Sequence, residues 1–184
     1  MYTGRMSLIA DAPQIDHLID QLAAQVRGFV PPPGPGGART PEPLALIGIR
    51  RRGDVLATRL AQKLGVTDVG SIDITLYRDD LSETAPVATV GRTDIPFSVA
   101  GRDIVLVDDV IMTGRSVLAA LREILDFGRP ARIRLAVLVA RPERELPIEP
   151  EHAALRVAPG PTEKVDVRLM PQDEEDSIRL NVRG

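Results

Sequence analysis

Two adjacent carboxylates and a short run of small polar residues follow an apolar stretch in the middle of the chain. The stretch reads VLVDDVIMTGRSV from Val105 to Val117, and it places Asp108 and Asp109 ahead of Thr113, Gly114, Arg115 and Ser116. Glycine lets a backbone approach a ligand closely, and the N–H groups that open a helix can hold a phosphate. Carboxylates beside a phosphate site accept hydrogen bonds from sugar hydroxyls. The spacing therefore predicts a site for a phosphorylated sugar.

A purely structural role is the alternative for these residues, since acids often end buried strands and serine caps helices. Other phosphate motifs do not match. There is no Walker lysine, and GPGGAR precedes a predicted strand, whereas the dinucleotide-binding glycine motif follows one. A phospho-acceptor receiver domain would explain the aspartates but would leave TGRS without a role.

Three consecutive arginines form a second group that could do chemistry. Arg50, Arg51 and Arg52 lie in the segment GIRRRG. Guanidinium groups bind multiply charged oxyanions through forked hydrogen bonds, which would suit a charged leaving group. The alternative is a solvated basic turn.

Composition limits the other functions. The chain has 184 residues, 43% of them hydrophobic, which suits one compact domain spanning residues 1–184. Its net charge of −3 gives no overall attraction for nucleic acid, and the absence of cysteine excludes disulfides and thiolate chemistry. Two isolated histidines do not indicate a metal cluster. With strand-sized apolar runs and no signal peptide or membrane span, we expect a cytoplasmic protein.

Apolar periodicity predicts the elements that position these groups. Helices are expected at 12–27, at 55–64 and at 116–127, and strands at 44–49, 72–76, 104–107 and 133–139. Residues 31–43 read as a mobile Pro/Gly-rich connection, and residues 77–102 as a lid loop. Buried strands that alternate with helices indicate an α/β fold with a parallel sheet flanked by helices. Ligands of such sheets bind at the carboxyl ends of the strands, where both aspartates fall.

Several longer segments carry a resemblance to a known family. VLVDDVIMTGRSV resembles the phosphoribosyl-pyrophosphate (PRPP) signature of type I phosphoribosyltransferases. IGIRRRGDVLATRLA, IDITLYRDDLS, DIPF, GRPARIRLAVLV, RELPI and EKVDVRL resemble, in order, the PyrR-type pyrimidine operon attenuators that double as uracil phosphoribosyltransferases. The likeness covers about residues 44–169. It implies the type I phosphoribosyltransferase fold with a small hood built from the chain termini, and Mg²⁺-dependent transfer of phosphoribose from PRPP to uracil, which yields UMP and pyrophosphate.

The resemblance also implies roles for individual residues. Asp108 and Asp109 would bind the ribose hydroxyls, the TGRS segment the 5′-phosphate, and Arg50 to Arg52 the pyrophosphate. Tyr77 and Arg78 begin the family's flexible catalytic loop, which would exclude water. Mg²⁺ would be held mainly by PRPP itself, without a metal cage from the protein. The resemblance also places four residues at the base: Met112, Ala154, Leu155 and Val157.

Met112 favours a pyrimidine over a purine. Purine-specific relatives carry an aspartate at this point, and methionine cannot exchange a proton with a purine ring nitrogen. Ordinary packing is the alternative role for this side chain.

Two departures from the family pattern keep other functions open. Residues 140–144 replace a segment that the family writes as Asp-Arg-Gly-His-Arg, and residues 153–157 lack the glycine of the base-contacting turn. A UMP-sensing RNA-binding regulator of pyrimidine genes, with weak or no enzyme activity, is the second hypothesis. Acids in the first helix argue against RNA as a partner, whereas one set of arginines could form a basic patch: Arg129, Arg132, Arg134, Arg141 and Arg144. A third hypothesis is a ribose-phosphate binder without turnover. The resemblance further implies a homo-oligomer, a dimer or larger.

Overall fold

A computed structural model describes residues 6–28, 44–74 and 93–182. The strands are β1 (Met6–Ala10), β2 (Ala45–Ile49), β3 (Val69–Ile72), β4 (Asp103–Ile111), β5 (Arg132–Ala140), β6 (His152–Arg156), β7 (Glu163–Arg168) and β8 (Ser177–Val182). The helices are α1 (Ala12–Arg27), α2 (Arg52–Leu64) and α3 (Arg115–Asp126). The predicted connection at 31–43 and the part of the predicted lid at 77–92 lie outside the described residues.

A five-stranded parallel sheet in the order β3-β2-β4-β5-β6 forms the centre of the fold. Its strands are buried on both faces because successive side chains point to opposite sides. Leu46, Val105 and Leu138 face α1 and α2, whereas Ile47, Leu106 and Val137 pack with the apolar side of α3. The prediction of a parallel sheet flanked by helices is confirmed.

The two ends of the described chain meet in a second sheet, which we call the hood: β1, β8 and β7, together with the connection 169–176. The strand order is β1-β8-β7 and both pairings are antiparallel. One face of this sheet joins the core beside α1 through Val165, Val167 and Ile178, each at most 5% exposed. The predicted hood of terminal segments is therefore confirmed.

Helix α1 has the bounds that the sequence predicts. Asp11 caps it by accepting a hydrogen bond from the Gln14 N–H, and the Gln14 side chain accepts one from the Asp11 N–H. This reciprocal capping box satisfies two backbone donors that the helix itself leaves unbonded. Among the described residues, no helix has both the length and the apolar character needed to cross a membrane.

Several predicted boundaries were wrong. β3 spans Val69–Ile72, so the strand predicted at 72–76 was placed too late along the chain; parallel pairing with β2 stops at Ile72, although the apolar alternation continues beyond it. β4 continues to Ile111, beyond the predicted end at Val107, because it stays paired with β5 as far as Ala140. The two aspartates therefore lie inside a strand. Residues 152–156 form the edge strand β6, although alignment places a base-contacting turn there.

Candidate functional site

A cavity of about 590 Å³ opens at the carboxyl end of β4, between the central sheet and the hood. One wall is a continuous run from Asp108 to Val117, which we call the core wall. The opposite wall is Lys164 to Val167 of β7, which we call the hood wall. Arg52, Arg141 and Glu145 complete the lining among the described residues.

The two aspartates of the core wall differ in burial. Asp108 is 6% exposed, although a side chain at a strand end that binds a ligand is expected to be exposed, and its Oδ1 accepts a hydrogen bond from the Asp109 N–H at 3.0 Å. Asp109 is half-buried and lines the cavity beside it. Because a buried carboxylate requires polar partners, Asp108 supports the local backbone, while Asp109 is the more accessible acceptor for a ligand.

The TGRS segment turns from β4 into α3. Gly114 is the N-cap, with φ +90°, and Ser116 lies inside the helix, so the alternative of a capping Ser116 was wrong. The positive φ favours glycine because a Cβ is strained in that conformation. The Arg115 N–H donates to Thr113 Oγ1 at 3.3 Å, and the first residues of α3 line the cavity, where the positive end of the helix dipole suits a phosphate.

Segment 141–148 supports this turn from behind. Thr113 O accepts hydrogen bonds from the N–H groups of Glu145 and Leu146, at 3.1 and 3.2 Å. The Arg144 guanidinium donates to Met112 O and Arg141 O at 2.6 Å, and to Ile148 O at 3.0 Å. Its side chain is only 13% exposed. Arg144 was predicted for a basic surface patch, but its hydrogen bonds join the end of β4 to segment 141–148.

Arg115 also has a protein partner in this structure. Its Nε lies 2.7 Å from Glu145 Oε2, and both side chains are more than half exposed. An exposed pair of this kind contributes little stability, so the Arg115 side chain is available to a stronger anionic ligand.

The three arginines of GIRRRG point to different surroundings. Arg50 Nε donates to Ser71 Oγ at 3.0 Å, and Arg51 precedes α2 as its exposed N-cap. Arg52 is the one of the three that lines the cavity among the described residues, and its guanidinium forms a fork with Asp173 of the hood. The sequence grouped the three together, but the structure brings only Arg52 to the aspartates.

Gly53 brings the start of α2 against β4. A Cβ at Gly53 would lie 2.6 Å from Val107 O and 3.1 Å from the Asp108 Cα, closer than packing allows. This contact fixes the N-terminus of α2 beside the aspartates of the core wall.

Hydrogen bonds, nearby charges and burial shift the pKa values of side chains near the cavity. The pKa of Arg52 is raised, chiefly by its hydrogen bond to Asp173 and further by the charges of Asp109 and Asp166. The same fork lowers the pKa of Asp173. Burial raises the pKa of Asp54, one helical residue beyond Gly53. Arg52 therefore remains charged beside three carboxylates.

The hood wall contains residues that the site prediction missed. Lys164 is exposed and Asp166 half-buried, and both line the cavity. The chain has two lysines, and the other, Lys63, forms ion pairs with Asp16 and Asp20 of α1 and is not among the described residues that line the cavity. Their segment, EKVDVRL, was noted only for its family likeness, and strand alternation offered no sign that it faces a ligand.

The residues predicted to bind the base are not brought together. Met112 lines the cavity and is 37% exposed. Ala154 and Leu155 of β6 and Val157 after it pack against the apolar core, and they are not among the described residues that line the cavity. Tyr77 and Arg78 lie outside the described residues. Within the described ranges, no group of three or more His, Cys, Asp or Glu is placed to hold a metal.

Comparisons with known proteins agree with this architecture. A family model for the phosphoribosyl transferase domain matches residues 8–156. The chain is 41% identical over 182 residues to the Bifunctional protein PyrR of Elusimicrobium minutum, covering 96% of this chain and 97% of the relative. It is 50% identical over 140 residues to the Bifunctional protein PyrR of Pelotomaculum thermopropionicum, covering 73% of this chain and 77% of that one.

Solved structures show the same fold. A purine phosphoribosyltransferase from Pyrococcus horikoshii aligns with a TM-score of 0.60 at 26% identity, over 87% of this chain and 95% of that chain. A hypoxanthine phosphoribosyltransferase from Trypanosoma cruzi in complex with IMP aligns with a TM-score of 0.70 at 16% identity, over 100% and 93%. At 16% identity the second likeness concerns the fold alone.

Proposed function

Since the chain belongs to the phosphoribosyltransferase family, and within it to the PyrR proteins, we propose that it transfers phosphoribose from PRPP to uracil. In this reaction the bond from C1′ of the ribose to the pyrophosphate oxygen breaks. A bond from C1′ to N1 of uracil forms, the N1 proton is released, and the products are UMP and pyrophosphate. The observation that carries the proposal is one cavity lined by Asp108, Asp109 and the TGRS turn.

The core wall suits the sugar phosphate. We assign the 5′-phosphate to the N-terminus of α3 and to the side chains of Thr113, Arg115 and Ser116, because backbone N–H groups and hydroxyls are donors. Asp108 and Asp109 accept hydrogen bonds from the ribose hydroxyls. A fixed carboxylate beside the ring also stabilises the positive charge that develops there as the pyrophosphate leaves.

Pyrophosphate lies, in this proposal, at the start of α2. Arg52 lines the cavity there, and Arg50 and Arg51 add positive charge to the same loop. The oxygen donors of the core wall fit a Mg²⁺ ion that is held mainly by the oxygens of PRPP, with Asp109 as a protein neighbour. When bound, the ion neutralises charge on the leaving pyrophosphate.

For the base, the cavity favours Met112 and Lys164. Lys164 can donate a hydrogen bond to a carbonyl oxygen of uracil, and Met112 offers an apolar contact to the ring. We propose these two as base contacts in place of Ala154, Leu155 and Val157, which are partly buried against the core and are not among the described residues that line the cavity. Tyr77 and Arg78 are proposed on the resemblance alone, as catalytic residues of a loop that covers the site.

A direct assay tests this function. Release of pyrophosphate from PRPP is measured with uracil, orotate, hypoxanthine and guanine, each with Mg²⁺ present. We expect turnover with uracil. Turnover with a purine and none with uracil would contradict the pyrimidine assignment.

Regulation of pyrimidine genes through RNA is a second candidate, since the relatives are named bifunctional. The structure supplies observations on both sides. Lys63 binds Asp16 and Asp20, which offsets the acidity of α1. Four arginines of the predicted basic patch, however, already have acidic partners, through the pairs Arg132–Asp103, Arg134–Glu151, Arg141–Glu143 and Arg144–Glu149.

Titration with the leader RNA of the organism's own pyrimidine genes tests this candidate, with and without UMP at physiological salt. Tighter binding than to an unrelated RNA, changed by UMP, supports regulation. Equal affinity for both RNAs and no effect of UMP would contradict regulation through RNA and leave only the enzymatic function.

A further inference from the structure

Two arginines of α2 form forked ion pairs with the hood connection, and only one of the pairs reaches the cavity. From this difference we propose that Asp173 is a positioning residue, which holds the Arg52 guanidinium toward the pyrophosphate of PRPP. The inference rests on the proposed function, since it assumes that an anionic group binds beside Arg52.

The Arg52–Asp173 pair is a well-formed fork. Arg52 Nε donates to Asp173 Oδ2 at 2.7 Å, and Nη2 donates to Oδ1 at 2.8 Å. The Asp173 side chain is 16% exposed, and that of Arg52 is 34% exposed. Two parallel hydrogen bonds fix the plane of a guanidinium as well as its position.

Asp173 is itself held by its own turn. Its Oδ2 accepts a hydrogen bond from the Leu169 N–H at 2.8 Å, and its N–H donates to Leu169 O at 2.9 Å. The carboxylate therefore has one orientation, set by the hood connection, and it passes that orientation to Arg52.

The fork leaves donors for a ligand. Asp173 engages Nε and one edge of Nη2, so the N–H groups of Nη1 are not used by Asp173. Arg52 is the first residue of α2 and lines the cavity together with Asp109. An arginine that is oriented before the ligand arrives loses less side-chain freedom on binding. Asp173 should therefore strengthen pyrophosphate binding without touching the ligand.

The second pair provides a matched control within the molecule. Arg59 donates to Asp176 at 2.5 and 2.9 Å and to Met170 O at 2.7 Å. Arg59 follows Arg52 by seven residues and so lies on the same side of α2, two turns further on. It lines a different cleft, with Val69 and Pro171, and is not among the described residues that line the cavity. Both pairs fasten the hood, but only the Arg52 pair can orient a ligand contact.

The experiment measures pyrophosphate affinity by calorimetry in the presence of Mg²⁺, for five full-length proteins: the parent, Asp173→Asn, Asp176→Asn, Arg52→Gln and the double variant Arg52→Gln/Asp173→Asn. We expect Asp173→Asn to raise the Kd about tenfold and Asp176→Asn to change it less than about twofold. The melting temperatures should fall for both aspartate variants. The double variant should bind like Arg52→Gln, because Asp173 acts through Arg52.

Other outcomes would overturn the proposal. The first is an unchanged Kd for pyrophosphate in Asp173→Asn, or an equal loss of affinity in Asp176→Asn. The second is a double variant in which the effects of Arg52→Gln and Asp173→Asn on the Kd multiply. The third is a parent protein that binds no pyrophosphate. A sixth protein, Asp173→Glu, which retains the charge, should bind pyrophosphate more tightly than Asp173→Asn. A chain that shows the expected order of affinities but does not turn over uracil would contradict the proposed function and leave this inference standing.

Discussion

The core wall and the hood wall of the cavity are built in different ways. Asp108 to Val117 are consecutive residues that leave β4 and enter α3, so one stretch of sequence contains the whole wall. Lys164 to Val167 belong to a strand that reaches the cavity only because β7 pairs with β8, and β8 with β1 at the other end of the chain. A wall made of consecutive residues leaves a motif in the sequence, whereas one made by long-range pairing does not.

The two walls are also held differently. The core wall continues β4, in which Ile104 to Val107 are at most 2% exposed, so apolar packing fixes it. The hood has apolar contacts on one face, but its connection 169–176 is fastened to α2 by the forks of Arg52 and Arg59. We therefore expect the stability of the core wall to depend on side-chain shape and the attachment of the hood to depend on charge.

The largest effect is expected from Asp109→Asn on the core wall. Loss of a charge-assisted hydrogen bond costs about 1.5–3 kcal/mol, which corresponds to a fall in kcat/KM of roughly tenfold to a hundredfold. Asp109 is half-buried, so the melting temperature should stay near that of the parent. Steady-state kinetics and calorimetry on the same preparation measure both quantities.

Asp108→Asn is the comparison for this variant. Because Asp108 is 6% exposed and holds the Asp109 N–H, its replacement should lower stability as well as activity. If Asp109→Asn turned over PRPP at the parent rate, the core wall would not hold the sugar.

A smaller effect, on stability, is expected from Gly114→Ala. This variant tests the backbone shape of the core wall. A new Cβ would lie 3.5 Å from Leu146 and Ile148, an ordinary contact, so the cost comes from the φ of +90°. Such a conformation costs an L-residue about 1–2 kcal/mol, or roughly 2–8 °C in melting temperature for a chain of this size. Gly28→Ala, at φ −64°, serves as the control. Equal melting temperatures for the two variants would show that the turn can change its conformation.

The contrast between the walls explains what the sequence could predict. The parallel sheet and the bounds of α1 follow from local periodicity, and one continuous motif predicts that Asp108 to Ser116 lie together at one site, as they do in the cavity. The end of β4 was missed because strand length depends on pairing with β5, which is not a local property. Two residues of the hood were missed for the same reason. Lys164 reaches the cavity through the pairing register of β7 and β8, and Asp173 contacts Arg52, which lies 121 residues earlier in the chain.

Lys164→Met tests the hood wall directly and should have a more modest effect. Loss of one hydrogen bond from an exposed ammonium to the base should raise the KM for uracil about threefold to tenfold. The KM for PRPP should change less than about twofold, because the proposed sugar site is on the core wall. Lys63→Met removes the other lysine, which is bound to Asp16 and Asp20, and should leave both KM values unchanged. An unaltered KM for uracil in Lys164→Met would remove the hood wall from base binding.

The smallest expected effect is on the stability of the protein at acid pH. It distinguishes attachment of the hood by ion pairs from attachment by apolar packing. Hydrogen bonds from Arg59 lower the pKa of Asp176 below its ordinary value of 3.8 in the folded chain. As the pH falls to about 3.8, Asp176 therefore becomes protonated in the unfolded chain while it stays ionised in the folded chain. This contribution to stability is present above that pH and is lost as the pH falls through 3.8 toward the lower folded value.

Asp176→Asn removes this titration and should flatten the acid response of stability. Its melting temperature should start below that of the parent at about pH 5.5 and fall less on acidification to about pH 3, since the parent alone loses the Arg59 pair. Asp54→Asn should show the opposite sign. Burial raises the pKa of Asp54, so the folded parent gains stability from protonating it, and the variant lacks that gain. Calorimetric scans of the three proteins at both pH values measure the slopes. Parallel slopes for the parent and Asp176→Asn would mean that the hood is held by its apolar face, as the core wall is, and not by its charges.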